Sequence, residues 1–171
     1  VRCHPKLVRR LAAVVGEENV VKLRAGERIP TGGGVFLRTI FTPGHAEDDV
    51  CYYLARDRVM FTGDTVLGGS STTVQDVADY MSSLEKLSRY RVEVICPGHG
   101  PVVPSPRGSY LISWNIRHRQ EREQQVLAAL QKGIGDVGAM VRDIYPRNLK
   151  KGLRHAAAGN VSAHLAKLVK E

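Results

Sequence analysis

Three short motifs place potential metal ligands on glycine-containing turns. They are Thr42-Pro43-Gly44-His45, Phe61-Thr62-Gly63-Asp64 and Cys96-Pro97-Gly98-His99. Each follows a β-rich run, and glycine permits the tight backbone path that lets the next side chain project from a strand end into a cleft. Imidazole and carboxylate together suit Zn²⁺ and similar divalent ions. One Pro-Gly-His segment is typical of an ordinary turn, but three such motifs in series favour a metal site.

The elements that must position these motifs alternate between strand and helix over the first hundred residues. The apolar spacing predicts helices over Pro5–Val15 and Asp76–Tyr90. A tight hairpin is expected at Arg56-Asp57. Strands are predicted over Asn19–Leu23, Val35–Thr42, Val50–Ala55, Arg58–Thr62 and Val92–Cys96. Mixed β and α elements with short connections predict a layered α/β sandwich.

After a proline-rich bridge the pattern changes to helices only. Helices are predicted over Ser109–Gln131, Asp136–Tyr145, Asn148–Ala158 and Asn160–Val169, with the last two separated at Gly159. Short helices ending in a basic one are typical of helix-turn-helix or winged-helix modules. The predicted domains are therefore residues 1–108 and 109–171. Tyr110 and Trp114, on the long helix, are interpreted as anchors between the two regions, with base stacking as the alternative.

Composition excludes several classes of protein. The chain is 43% hydrophobic, and it has no apolar run of the roughly 18 residues that a membrane span requires. Cys3, Cys51 and Cys96 are odd in number and form no Cys-x-x-Cys pair, which argues against a disulfide scaffold or a zinc ribbon. A reducing compartment is therefore expected, with the two later cysteines in the core.

Positive charge is concentrated in the last third of the chain. Residues 1–116 carry 14 Lys/Arg against 12 Asp/Glu, whereas residues 117–171 carry 11 against 5. This excess favours a polyanionic partner, although a basic helical surface also serves solubility alone. The candidate nucleic-acid contacts are Lys150, Lys151, Arg154 and Lys167.

The three motifs, in the order TPGHAEDD, FTGDTVLG and PGHGP, resemble the later metal-binding motifs of the metallo-beta-lactamase superfamily. The segment His118–Gln124, with the helical module after it, resembles the beta-lactamase-like protein 2 branch. That resemblance implies part of an αββα sandwich followed by an all-α winged-helix-like module. Members of the branch end in a winged-helix-like domain, and some are endoribonucleases specific for single-stranded RNA.

The resemblance also implies roles for individual residues. His45 would bind one metal ion, His99 a second, and Asp64 would bridge them, with Asp64 and His99 also implied in catalysis. Up to two Zn²⁺ ions would activate a water molecule for attack on a phosphodiester of single-stranded RNA. Asp48 and Asp49 are candidates to support His45, and a solvated acidic loop is the alternative.

The leading HxHxDH motif of the family is absent, so each metal ion would keep one histidine and the shared carboxylate. Such a site is expected to bind zinc weakly, and this chain alone is expected to be inactive and to expose one face of its sheet. Three explanations stay open: a fragment of an active enzyme, a short protein completed by a partner or as a homodimer, and a scaffold that has lost its chemistry.

The sequence therefore predicts a metal-dependent hydrolase, with a single-strand endoribonuclease preferred. A glyoxalase-II-like thioesterase and a non-catalytic nucleic-acid-binding scaffold are the alternatives. No membrane contact is expected, and the predicted location is the mitochondrial matrix or the cytosol.

Overall fold

The computed structural model describes residues 1–170 as an α/β unit with a helical C-terminal part. The strands are β1 (Arg2–Cys3), β2 (Val21–Lys22), β3 (Arg28–Gly32), β4 (Val35–Phe41), β5 (Val50–Leu54), β6 (Val59–Gly63) and β7 (Val94–Pro97). The α-helices are α1 (Val8–Val15), α2 (Val77–Ser88), α3 (Arg107–Gln131), α4 (Val137–Ile144) and α5 (Lys151–Lys170). No helix in this range is long and apolar enough to cross a membrane.

The main sheet has five strands in the order β3-β4-β5-β6-β7. Its first three pairings are antiparallel, and the pairing of β6 with β7 is parallel. Strands β4, β6 and β7 therefore run in the same direction and end at the same edge of the sheet. The turns that follow these three strands carry His45, Asp64 and His99, so the topology alone brings the three motifs together.

One face of this sheet carries the main hydrophobic core. Ile40, Met60 and Ile95 point from the strands toward the buried side chains of α2, which include Tyr80 and Leu84. On the other face Phe61 keeps 39% of its surface exposed. A sheet that is covered unevenly in this way agrees with the expectation from the sequence.

The long helix α3 joins two hydrophobic cores. Its first half contributes Leu111 and Ile112 to the main core, and its second half contributes Val126 to a smaller core with α4 and α5. The same helix thus belongs to both packing units, and the division into residues 1–108 and 109–171 stays a prediction.

Of the two cysteines predicted to lie in the core, Cys51 is buried, whereas Cys96 is only partly buried because it lies at the end of the edge strand β7. Cys51 is fully buried beside the hydroxyl of Thr42, and burial raises the pKa of its thiol to about 11. It therefore remains a protonated core side chain near neutral pH. Cys3, Cys51 and Cys96 are free thiols.

Strand β3 was not predicted from the sequence. It pairs with β4 across the glycine turn of residues 32–34 and forms the edge of the sheet. Its Pro30 and largely exposed side chains remove the alternating apolar pattern that predicts a strand, and proline is tolerated because this is an edge.

The predicted break at Gly159 is wrong, because α5 continues through it from Lys151 to Lys170. Glycine in a helix costs about 1 kcal/mol relative to alanine, and tertiary packing can offset that cost. Ala157, Asn160 and Val161 around it are buried, so packing holds the helix through the weak position.

Replacement of Gly159 with Ala tests the continuous helix. The added methyl group would meet no atom within 4 Å, and Gly159 is not among the glycines with positive φ. We expect Gly159→Ala to raise the free energy of unfolding by about 0.5–1 kcal/mol in urea denaturation. Gly152→Ala is a matched control with the same open surroundings near the start of α5. If the helix ended at Gly159 instead, Gly159→Ala would lower the free energy of unfolding.

Candidate metal centre

His45 lies on the turn after β4, held against the start of α2. Gly44 has φ +137°, and a Cβ there would stand 2.4 Å from the Cα of Tyr80, so only glycine allows the turn to approach so closely. Its carbonyl oxygen accepts hydrogen bonds from the backbone N–H groups of Gln75 and Asp76. The turn that carries His45 is therefore fixed by the backbone that leads into α2.

Asp64 lies between the two histidines. Its Oδ2 is 3.8 Å from Nε2 of His45 and 3.6 Å from Nε2 of His99. Its Oδ1 is buried and has no hydrogen-bond partner among the described residues. Leaving a buried acceptor unpaired costs about 1–3 kcal/mol, so this oxygen is suited to a cation.

The turn after β7 brings His99 to the same place. Gly98 donates its N–H to the carbonyl oxygen of Gly63, and a Cβ at Gly98 would stand 2.9 Å from Oδ1 of Asp64. Glycine thus allows the two turns to touch. The side chain of His99 is 78% exposed, whereas that of His45 is 26% exposed.

These distances are suited to part of a metal site. Two ligands of one tetrahedral zinc ion, each at about 2.0–2.1 Å, stand about 3.4 Å apart. The observed separations of 3.6 and 3.8 Å are longer than a hydrogen bond and a few tenths of an ångström wider than that value. Within residues 1–170, no group of three or more His, Cys, Asp or Glu side chains is arranged to hold a metal ion as it stands. The donor set and the unpaired Oδ1 fit a divalent metal, as a partial centre.

A short segment, residues 72–74, holds the imidazole of His45; we call it the strap. Nδ1 of His45 is 2.8 Å from the carbonyl oxygen of Thr73 and 3.0 Å from the hydroxyl of Thr72. Because a carbonyl oxygen only accepts, Nδ1 carries the proton and donates to Thr73. In the neutral imidazole, Nε2 then has its lone pair facing Asp64, which is the tautomer that a metal ligand at Nε2 requires.

Two helices of the C-terminal part hold the strap from behind. Arg119 of α3 donates to the carbonyl oxygen of Thr72, and Oδ1 of Asn160 on α5 accepts from the N–H of Val74 at 3.0 Å. Arg119 is 1% exposed and Asn160 is 8% exposed. The helical module therefore reaches the back of the metal centre through buried polar contacts.

Arg119 also supports the turn that carries Asp64. Its guanidinium lies 5.2 Å from the ring centroid of Tyr80, and the Tyr80 hydroxyl donates to the carbonyl oxygen of Thr65 at 2.7 Å. Burial raises the pKa of Tyr80 to about 12, so the hydroxyl stays a donor over the ordinary pH range. Sequence reasoning missed these roles, and the one signal was that Arg119 belongs to the segment that carried the family resemblance.

The sequence offered Asp48 and Asp49 as candidates to support His45, and the structure gives them other positions. Asp49 accepts from the N–H of Ala46 at 3.0 Å and so stabilises the turn next to His45, and burial raises the pKa of its carboxyl. The ring of His45, however, is oriented by the strap. In the described part of the chain, Asp48 accepts no hydrogen bond from His45.

The candidate nucleic-acid residues divide into two groups. Lys150, Lys151 and Arg154 are exposed around the start of α5. The amine of Lys167 is 2.9 Å from Glu123, and its side chain is only 16% exposed. Glu123 also contacts the fully buried His164, where burial lowers the pKa of the imidazole to about 4 and keeps it neutral.

Comparison with known proteins identifies the family. The metallo-beta-lactamase superfamily matches residues 9–99, just over half of the chain, and the beta-lactamase associated winged helix domain matches residues 137–171. The chain therefore belongs to the metallo-beta-lactamase superfamily and continues into that winged helix domain. The resemblance and the fold class predicted from the sequence are confirmed.

Two relatives show how far the likeness extends. A beta-lactamase-like protein 2 homolog of Drosophila melanogaster is 38% identical over 144 residues, which cover 82% of this chain and 48% of that protein. An atrochrysone carboxyl ACP thioesterase of Aspergillus fumigatus is 42% identical over 98 residues, covering 57% of this chain and 30% of that protein. The chain thus spans between about a third and a half of the length of these relatives.

The fold is also found in solved structures. A metallo-beta-lactamase family protein from Thermus thermophilus superimposes with a TM-score of 0.70 at 23% identity, covering 96% of this chain and 59% of that one. At this identity the likeness concerns the fold. It includes the helices that hold the strap as well as the sheet.

Replacement of Asn160 with Ala tests the connection between α5 and His45. The N–H of Val74 would become a buried, unpaired donor, so we expect the free energy of unfolding to fall by about 1–3 kcal/mol. We also expect zinc affinity, measured by competition with a chromophoric chelator, to fall about tenfold because His45 loses its orientation. Asn160→Asp keeps a hydrogen-bond acceptor at this position and should retain both the stability and the zinc affinity.

Asn115 provides the matched control. It is equally buried on α3, and its side-chain amide donates to Leu111 of the same helix. Asn115→Ala should lower stability without changing zinc affinity. Equal loss of zinc affinity in the two alanine variants would contradict a specific role of the strap.

Proposed function

We propose that this protein is the metal-binding and RNA-binding part of a metal-dependent hydrolase that cleaves single-stranded RNA. The observation that carries the proposal is Asp64, whose one oxygen faces two histidines while its other oxygen is buried and unpaired. Membership of the superfamily supports hydrolase-like chemistry with divalent metals. The likeness to a beta-lactamase-like protein 2 homolog over most of the chain supports the branch that the sequence motifs resemble, from which the expectation of RNA cleavage comes.

His45, Asp64 and His99 are the residues that would hold up to two zinc or related divalent ions, with Asp64 shared between them. A bound ion would supply Lewis-acid chemistry, lowering the pKa of water and polarising a phosphoryl oxygen. The strap keeps the proton of His45 on Nδ1 and leaves Nε2 available. Asp64 lies between the two imidazoles at one edge of the sheet, where three strands end.

The affinity of this chain for zinc is expected to be low. Catalytic zinc ordinarily has three protein ligands, whereas each ion here would receive one histidine and the shared carboxylate. The chain spans less than half of the beta-lactamase-like protein 2 homolog that it matches. Full activity is therefore proposed for the protein with its complete ligand set.

The exposed cations around the start of α5 would bind the RNA backbone. Lys150, Lys151 and Arg154 face solvent beside Arg147, whose carbonyl oxygen accepts a hydrogen bond from Arg154. Phosphate contacts of this kind supply affinity that does not depend on sequence and that falls as salt is added. Lys167 is held by Glu123, so its part in binding RNA would be smaller than that of the three exposed residues.

A thioesterase is the second candidate function. Its support is the 42% identity with an atrochrysone carboxyl ACP thioesterase, which extends over 57% of the chain. The same three metal-binding motifs suit a glyoxalase-II-like reaction. The exposed basic cluster on α5 has no evident part in thioester hydrolysis, which is why RNA is preferred.

Replacement of Asp64 with Asn tests the metal chemistry. We expect zinc affinity to fall at least tenfold because the shared ligand is lost. In the protein with its complete ligand set, and with excess zinc, Asp64→Asn should abolish cleavage of a fluorescent single-stranded RNA while its binding is retained. Asp57→Asn is the matched control, since Asp57 is an exposed carboxylate on the turn between β5 and β6. Hydrolysis of a thioester without cleavage of RNA would favour the second candidate.

Replacement of Lys150 and Lys151 with Ala tests the basic cluster. We expect RNA affinity at about 100 mM salt to fall about tenfold, and the slope of log affinity against log salt to decrease by about 1.4. Fluorescence anisotropy of labelled RNA measures both quantities. The double variant Arg9→Ala with Arg10→Ala removes two adjacent exposed cations on α1. It is the control and should change neither the RNA affinity nor the salt slope. An unchanged slope in the lysine variant would refute the assigned role.

A further inference from the structure

An open cavity of about 410 Å³ lies beside the metal centre, on the surface of α3. Its walls include Leu67 and the side chains of Arg107, Tyr110, Trp114 and Arg117. The metal chemistry described above uses none of these residues.

The cavity shares its floor with the turns that carry Asp64 and His99. Residues 67–70 follow Asp64 directly, and Pro101 follows the turn of His99. The two segments touch, since a Cβ at Gly68 would stand 2.3 Å from the carbonyl oxygen of Pro101. Arg107 donates to the carbonyl oxygen of Gly68 at 3.0 Å and fixes this floor to α3. A molecule in the cavity would therefore lie next to the metal ligands.

Two aromatic side chains line this cavity without being covered. Tyr110 is 65% exposed and Trp114 is 43% exposed, so the interpretation of these residues as anchors between two regions is wrong. They lie four residues apart on α3 and share one face of the helix. The ring of Trp114 also stacks on that of His118, four residues further along α3. The two ring centroids are 5.1 Å apart, and the ring planes differ by 6°. Burial lowers the pKa of His118, so this supporting ring is uncharged near pH 7.

The charges around the cavity are of one sign. Arg107 and Arg117 contribute to its lining, and none of the lining residues in the described chain is acidic. Flat exposed rings together with guanidinium groups complement a ligand that has both an aromatic ring and an anionic group. A nucleotide within an RNA strand has both.

We propose that this cavity binds one nucleotide of single-stranded RNA, with its base stacked on Trp114 and a neighbouring phosphate paired with Arg117. The inference rests on the proposed function and deepens it, because it assigns the residues that present the strand to the metal centre. Stacking on an aromatic side chain tolerates every base, so the cavity would position the strand without selecting a sequence.

The only tryptophan in the chain is Trp114, so intrinsic tryptophan fluorescence reports on this cavity alone. The probe is a single-stranded RNA of six adenylates, titrated into the full chain in the presence of a chelator to prevent cleavage. We expect saturable quenching of the fluorescence. An abasic strand with the same number of phosphates should bind without quenching.

Variants then separate stacking from charge. Binding is followed independently by the anisotropy of a fluorescein-labelled strand. Trp114→Ala should weaken binding of the adenylate strand about 10- to 100-fold and leave the abasic strand unaffected, whereas Trp114→Phe should retain most of the affinity. Arg117→Ala should lower the salt slope for both strands by about 0.7. Arg9→Ala is the control for a lost surface charge.

The outcomes distinguish this inference from the proposed function. Binding of the adenylate strand without quenching, and unchanged by Trp114→Ala, would overturn the cavity assignment and leave RNA binding by the basic cluster intact. Absence of any binding would overturn both. Quenching by a pantetheine thioester but not by the adenylate strand would assign the cavity to the thioesterase alternative.

Discussion

The hydrogen bond from Nδ1 of His45 to Thr73 is the contact on which the proposed metal centre depends. It fixes which nitrogen of the imidazole carries the proton and aims the other nitrogen at Asp64. The strap that provides this acceptor is itself held by Arg119 and Asn160, which belong to helices far along the chain. The helical module therefore supports the proposed metal centre, although it supplies none of the three candidate ligands.

This dependence explains why polar side chains are buried between the sheet and the helices. Burying a guanidinium is costly unless it is paired, and Arg119 meets the carbonyl oxygen of Thr72 and the ring of Tyr80. Tyr80 in turn binds the backbone beside Asp64. Movement of α3 would disturb the contacts of Arg119 with the strap and with Tyr80. Since the strap holds His45 and Tyr80 holds the backbone beside Asp64, the interface that joins the two cores also affects the geometry of the site.

Much of the site could be predicted because its ligands follow strands and stand next to glycine. Strands β4, β6 and β7 end at one edge, so three weak local motifs indicate one place in the fold. The strap could not be predicted, since Thr72 to Val74 carry no periodic pattern and their partners are distant in sequence. Local sequence propensity also failed to predict β3, which is an exposed edge strand containing Pro30. It wrongly predicted a helix break at Gly159, where buried neighbours keep α5 continuous.

X-ray absorption spectroscopy of the protein with one equivalent of zinc shows directly whether Asp64 and the two histidines hold the metal ion. We expect a first shell of nitrogen and oxygen at about 2.0–2.1 Å, with the outer-shell scattering of imidazole from His45 or His99. Sulfur at about 2.3 Å would assign the zinc to Cys96, which precedes the turn of His99. That result, or zinc surrounded by water alone, would contradict a centre built on Asp64.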